Sequence, residues 1–212
     1  LMISLYTYLN IYHKNRKGFE SIFSNAIFQL NRNLQVFLQR KTHKKIYEEW
    51  RPSAICISKS TFQRAKALLL LNWISYKYGF GTYLHRIEGY YSKATHKQAV
   101  DELQRINNMI RNKDSHVYID TIISPSYTSA IAQAIQIPGI SGMENNMVIF
   151  EYDKDKPDDL SHIIDNFALV NAGKFDVLIL ASSSRELKYK NGIHIWISST
   201  DSSNANLMIL LG

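Results

Sequence analysis

The chain has 212 residues, 45% hydrophobic and 20% charged, enough apolar material to build the core of one or two globular domains and too much for an intrinsically disordered chain. Its single cysteine, Cys56, excludes an intramolecular disulfide framework and sits in the apolar run AICIS, where a buried thiol in a reducing compartment is expected. The net charge of +7 is gathered at one end, with nine basic against three acidic residues before Pro52; the rest is nearly neutral, and no nucleic-acid partner is expected.

The first stretch, LMISLYTYLNIY, is uncharged and carries three tyrosines. At about 1.5 Å per residue it is too short to cross a bilayer core of about 30 Å. Followed by HKNRK, it resembles the cytoplasmic exit of a transmembrane helix, with aromatic residues at the interface and positive charge inside; a signal peptide would carry its charge ahead of the apolar region. Residues 1–17 are therefore expected to be the end of a transmembrane helix and its basic exit, the alternative being an ordinary N-terminal helix packed on its own domain. The start on Leu1 points to a fragment.

Over 18–50, Phe19, Ile22, Phe23, Ile27, Leu30, Leu34, Phe37 and Leu38 recur at helical spacing, which predicts an amphipathic helical linker. Its Asn and Gln content favours docking on protein. The basic residues from Lys14 to Lys45 are expected to meet an anionic membrane surface.

Beyond Arg51 short β-rich runs alternate with helical patterns. Strands are predicted at Ala54–Ser58, Gly81–Ile87, His116–Ile123, Asn146–Tyr152 and Asp176–Ala181. Helices are predicted from about Thr61 to Tyr78, over Lys93–Asn112, and over the run beginning SPSYTS with Ser124 as N-cap and Pro125 in the first turn. The alternation implies right-handed crossovers and an α/β, doubly wound, mostly parallel sheet covered on both faces.

The glycine-spaced turn PGISGM invites reading as a phosphate cradle. It joins a helix to the following strand, however, whereas nucleotide loops join a strand to the following helix, whose amides and dipole meet the anion. Gly139 is instead expected to end the helix in a left-handed conformation, with Pro138 preventing its continuation. GFGTYL, from Gly79, has Leu84 where a dinucleotide fingerprint needs its third glycine, and reads as a turn. His162 and Asp165 could share a helical face, with solvation the ordinary outcome, and no metal-ligand spacing is present. Ala181–Gly192 reads as a polar loop, and SPS lacks the elbow that exposes a serine nucleophile. No catalytic, cofactor or metal residues are assigned, and no enzymatic activity is expected.

Four collinear segments resemble the cytoplasmic C-terminal part of the cation-chloride cotransporters, of the amino acid-polyamine-organocation superfamily. LYTYLNIYHKN stands where that family's last membrane helix ends, and Arg51-Pro52 matches the pair opening its first strand. Gly139, Ile140, Ser141, Gly142, Met143, Asn146, Val148 and Tyr152 follow the pattern GLGGMxxNTVVMGW, with Glu144, Met147 and Glu151 departing from it. Ile193–Ile197, with Trp196, is similar to IDVWW although His194 replaces the acid, and Ala205–Leu211 resembles GGLMLLL.

The resemblance implies a cytosolic domain of two universal stress protein-like α/β halves, 51–152 and a truncated 153–212, behind twelve membrane helices; the second half would hold a helix from near Pro157 to about Val170, strands at Phe175–Ala181 and Ile193–Ser198, and a helix from near Asp201. It implies symport of chloride with sodium or potassium, a place on the cytoplasmic side of the cell membrane, the chain's own transmembrane transport domain as partner, and a homodimer. Regulation and dimerisation would be the domain's role. The alternative is a nucleotide-binding stress protein-like sensor, although the Gly-Ser that such domains carry about nine residues after their GxxG turn falls here at Tyr152 and Asp153.

Overall fold

The computed structural model describes residues 4, 18–42, 50–76, 79–111, 115–140, 144–184, 195–201, 205, 208 and 209. The chain forms two compact units, Leu1–Glu49 with Ile140–Met143, and Trp50–Gly139 with Glu144–Gly212. The expected membrane exit at 1–17 lies, apart from Ser4, outside the described residues, as do Lys44, Lys45, Ser141–Met143 and most of the loop 181–192. Among the described residues no helix is long and apolar enough to cross a membrane.

The first unit is built on helix α1, Gly18–Thr42; residues 43–49 of the predicted helical linker lie outside the described residues. Phe23, Ile27, Leu30, Leu34 and Phe37 are all more than half exposed on it.

In the second unit β1 (Ser53–Ser58), β2 (Phe80–Glu88), β3 (Val117–Ser124), β4 (Met147–Asp153) and β5 (Asp176–Ser182) alternate with α2 (Lys66–Ser75), α3 (Lys93–Ile110), α4 (Tyr127–Gln136) and α5 (Leu160–Ala172). The strands form one sheet in the order β3-β2-β1-β4-β5, every pairing parallel. β5, where a second half was expected, pairs with β4 over its whole length.

Strand periodicity explains the layers. Ala54 and Cys56 of β1 pack with Leu68, Leu71, Ile74, Tyr83 and Ile149 under α2, and Ile110 of α3 joins the same cluster. Ile55 and Ile57 point the other way, into Ala130, Ile131, Phe150, Ile163 and Val170 beneath α4 and α5. All six residues of β1 are buried, as a central strand covered by helices on both faces requires. Burying each large aliphatic side chain of this kind contributes about 1.5–3 kcal/mol.

Four local expectations are corrected. The helix expected from Thr61 begins at Lys66, because Thr61 is buried and its hydroxyl is bound to Tyr83 and His85, holding the chain in a turn. The N-cap of α4 is Ser126 rather than Ser124; Ser124 still belongs to β3 and donates its hydroxyl to Ser126 O at 3.1 Å. Gly139 is not left-handed, since the described glycine with positive φ is Gly89 at 138°. α4 ends instead because Ile137, preceding Pro138, is extended at φ −88° and ψ 133°, the region to which a following proline ring confines a residue. Finally, Ile195–Ser198 is not a strand; among the described residues the sheet ends at β5.

Candidate functional site

Chain order reverses between β1 and β4: β1 leads outward to β2 and β3, and β4 leads the other way to β5. The crossovers beside this point run to opposite faces, so the carboxyl ends of β1 and β4 border a gap. A crevice of about 390 Å³ lies there, within the size range of small-molecule sites.

Each border of the crevice follows from local chemistry. After β1, Ser60 N donates to Ser58 Oγ at 3.1 Å, and Ser60 O accepts from the N–H groups of Gln63 and Arg64 at 3.0 and 2.8 Å. This tight turn sets Arg64 at the sheet edge, where its Nη2 donates to Ser60 Oγ at 3.2 Å and to Asp159 Oδ2 at 2.5 Å. Asp159 comes from the single 3-10 turn Pro157–Asp159 that follows β4. The exposed Lys59 stands at the mouth.

β2 contributes Arg86, whose side chain is 5% exposed. Its Nη1 donates to Ser124 O at 3.2 Å and its Nη2 to Glu88 Oε2 at 3.1 Å, while its Nε–H has no hydrogen-bond partner. α4 starts beside it. Ser126 Oγ accepts from Ser129 N at 3.1 Å, so that orphan amide is capped; the earlier amides of Tyr127 and Thr128, which also line the crevice, have no intrahelical acceptor. The Tyr127 hydroxyl donates to Ile57 O at 3.1 Å, and its ring lies 6.2 Å from that of His162.

β4 contributes Glu151, 8% exposed. Its Oε1 accepts from the Ser182 hydroxyl, whereas Oε2 has no hydrogen-bond partner. Burial pushes the Glu151 carboxyl above the ordinary glutamate value; the Ser182 hydrogen bond, the Arg64 charge, the Ala67 amide at the start of α2 and the Lys66 charge pull it part of the way back. Lys66 Nζ also donates to Ser183 O.

A second polar cluster lies close by but is sealed. Thr61 Oγ1 is 2.7 Å from His85 Nδ1 and 3.0 Å from the Tyr83 hydroxyl. Thr61 is 0% exposed, so no substrate reaches it, and the trio fastens the turn after β1. Burial lowers the His85 pKa, with Glu102 opposing and Arg105 reinforcing the shift; the ring packs edge-on to Phe62, over which Arg105 sits at 4.4 Å.

The motifs weighed in the sequence fall in different places. Gly139 precedes β4, whose start pairs beside the beginning of β1, at the end of the sheet opposite the crevice; Ser141–Met143 of that turn lie outside the described residues. Gly79 and Gly81 are required by close packing: a Cβ on Gly79 would stand 2.6 Å from Ile74 O, and one on Gly81 would meet Ser75 Oγ and, at 2.7 Å, Leu71 Cγ. His162 borders the crevice while Asp165 is exposed to solvent; among the described residues no three potential metal ligands gather. Cys56 is buried and unpaired, its pKa raised by burial and further by Glu151, which leaves an inert thiol. Arg86 and Glu151 were not singled out as site residues, although a charge ending an otherwise apolar parallel strand is the sequence signal of a sheet-edge site.

Comparison with protein-family models and with curated proteins gave no match to this chain.

Proposed function

We propose that the chain is the cytosolic regulatory and dimerisation part of a cation-chloride symporter, acting on its own transmembrane transport domain at the cytoplasmic face of the cell membrane and without catalysis of its own. Its universal stress protein-like domain would relay a cytosolic state to the transport core, and the basic stretch from Lys14 to Lys45 would rest on anionic lipid.

One observation carries this reading. Two separated segments of the resemblance, Arg51-Pro52 and the asparagine of the glycine-rich turn, are tied to each other. Asn146 Nδ2 donates to Arg51 O at 2.7 Å, its Oδ1 accepts from Ser53 N at 2.8 Å, and its backbone N–H donates to Ser53 O at 3.0 Å. An asparagine offers donor and acceptor together, so this residue type at this place fastens the entry of β1 to that of β4. This tie supports the reading, since it joins two positions on which the resemblance rests.

The test is cation uptake by cells expressing the full-length gene product. Chloride-dependent uptake of rubidium or sodium above that of control cells is expected, reduced when residues 51–212 are removed. Absence of apolar spans ahead of Leu1 in the full-length product, or uptake indifferent to chloride, would overturn the assignment. The crevice at the switch point favours a second reading, a nucleotide-binding sensor domain, for which titration with ATP and ADP is the direct measurement.

A further inference from the structure

The described sheet ends on β3 and β5, and the two outer strands are finished differently. β3 carries Asp120, whose Oδ1 accepts from Thr121 N at 2.7 Å; a charge on an edge strand deters a further strand. β5 reads Asp176-Val177-Leu178-Ile179-Leu180-Ala181-Ser182, with no charge after Asp176. An apolar, uncharged edge is a template for strand pairing.

The hydrogen bonds of β5 show which of its backbone groups are open. Asp176 N donates to Asn146 O at 2.8 Å, and Ser182 O accepts from Lys154 N at 2.7 Å, so the even-numbered residues turn their backbone groups toward β4. Alternate residues of a strand serve opposite neighbours. Val177, Ile179 and Ala181 therefore turn theirs outward, and among the described residues β5 pairs with β4 alone. Ile179 is 49% exposed.

An apolar helix flank lies over the same edge. α4 packs on β1 and β3, α5 on β4 and β5, and His162 marks the flank of α5 that faces α4, its ring 6.2 Å from that of Tyr127. At about 100° per residue, Ile164 and Phe167 take the opposite flank. They are 66% and 48% exposed. Val177 packs into the core beneath α4 and α5, so Ile179, two residues on, shares the α5 side of the sheet.

We infer that β5 is the docking edge for a second copy of this chain, paired antiparallel about a two-fold axis at Ile179. Symmetry and charge select this occupant. The outward residues are placed evenly about Ile179, so Val177 of one copy stands opposite Ala181 of the other, and each outward residue exchanges both of its backbone hydrogen bonds with the residue it faces. Asp176 then stands opposite Ser182. Parallel pairing in register would instead set the two Asp176 carboxylates side by side, and like charges directly opposite are destabilising. Ile164 and Phe167 of both copies border the junction. The contact stands on the sheet edge and holds whether or not the domain serves a transporter.

Disulfide trapping in the 212-residue chain tests this, since Cys56 is buried and leaves an introduced thiol as the reactive one. Ile179→Cys sets two thiols opposite each other across the axis, within the reach of a disulfide, and mild oxidation should convert most of the chain to covalent dimer. Val177→Cys mixed with Ala181→Cys should link into mixed dimers, and either alone at least tenfold less. Tyr118→Cys, on β3, should likewise link at least tenfold less than Ile179→Cys. Ile179→Lys should weaken self-association at least tenfold by sedimentation, and Ile179→Val should leave it unchanged; the trapping experiment decides even where the lysine variant fails to fold. No covalent dimer from Ile179→Cys, equal trapping through Tyr118→Cys, or equal linking of Val177→Cys alone and in the mixture would overturn the proposal.

Discussion

Glu151 concentrates the electrostatic tension of the domain. Held between Ser182 and the start of α2, with Arg64 and Lys66 as its cationic neighbours and Cys56 and Tyr83 near enough to feel its charge, it has a folded-state pKa raised chiefly by burial. A carboxyl whose folded pKa exceeds its unfolded value binds its proton more tightly when folded, so its contribution is full below the ordinary value of 4.5 and is lost as pH rises through the folded value. Glu151→Gln cannot ionise, and its amide still offers an acceptor to Ser182. Urea unfolding at a series of pH values should show the variant gaining stability relative to the parent as pH rises from 4.5 to 8. A difference that is flat, or that grows toward acid, would mean that the carboxylate is stabilised by Arg64 and Lys66 more than burial disfavours it.

At the level of elements, the junction between α2 and β2 is set by absence of side chain. Gly81 begins the inward face of β2 directly under α2, where a methyl group would overlap Leu71 and Ser75. Ser75 cannot easily yield, because its hydroxyl donates to Leu71 O at 2.7 Å. Gly81→Ala is therefore expected to lower unfolding stability by about 1–3 kcal/mol, read from the urea midpoint with an unchanged slope. Gly79→Ala, which would press on backbone oxygens of Ile74 and Pro52, should cost at least as much. Equal stability of both variants would show that α2 can slide away from β2, contrary to a packed layer. α4 illustrates the complementary case, a helix whose ends are dictated by its neighbours in sequence, Ser126 as cap and Pro138 as stop.

For the whole molecule, self-association through α1 is expected. Phe23, Ile27, Leu30, Leu34 and Phe37 are spaced by alternating four and three residues, an average of 3.5, the period of a coiled-coil seam. Each is more than half exposed in the single chain. Such a stripe pairs readily with its counterpart in a second copy, in keeping with the homodimer implied by the resemblance. Light scattering of the 212-residue chain should give twice the monomer mass of 24.5 kDa. Ile27→Glu and Leu34→Glu, placed two turns apart on the seam, should shift it toward monomer while leaving the far-ultraviolet circular dichroism of the sheet domain intact. A strictly monomeric chain at tens of micromolar would contradict self-association through α1.

Much of the α/β architecture was legible from the residues alone. β1, β3, β4 and β5 are apolar runs of strand length separated by helical patterns, and burial on two faces leaves little room for another assignment; Cys56 lies in the core for the same reason. The direction of the turn before β4 was equally readable, since Pro138 marks a helix end whatever surrounds it. Element boundaries were not: Thr61 looks like a helix start until Tyr83 and His85, more than twenty residues away, take its hydroxyl. The crevice was least visible of all. Arg86 and Glu151 lie on strands that flank β1 from opposite sides, in neighbouring chain segments only because β1 and β4 pair across the reversal of strand order. Periodicity along one segment reports which face a residue takes, and it carries no information about which other strand's end will stand beside it. The sequence determined the layers; tertiary pairing alone decided that Arg86 and Glu151 would both border one crevice.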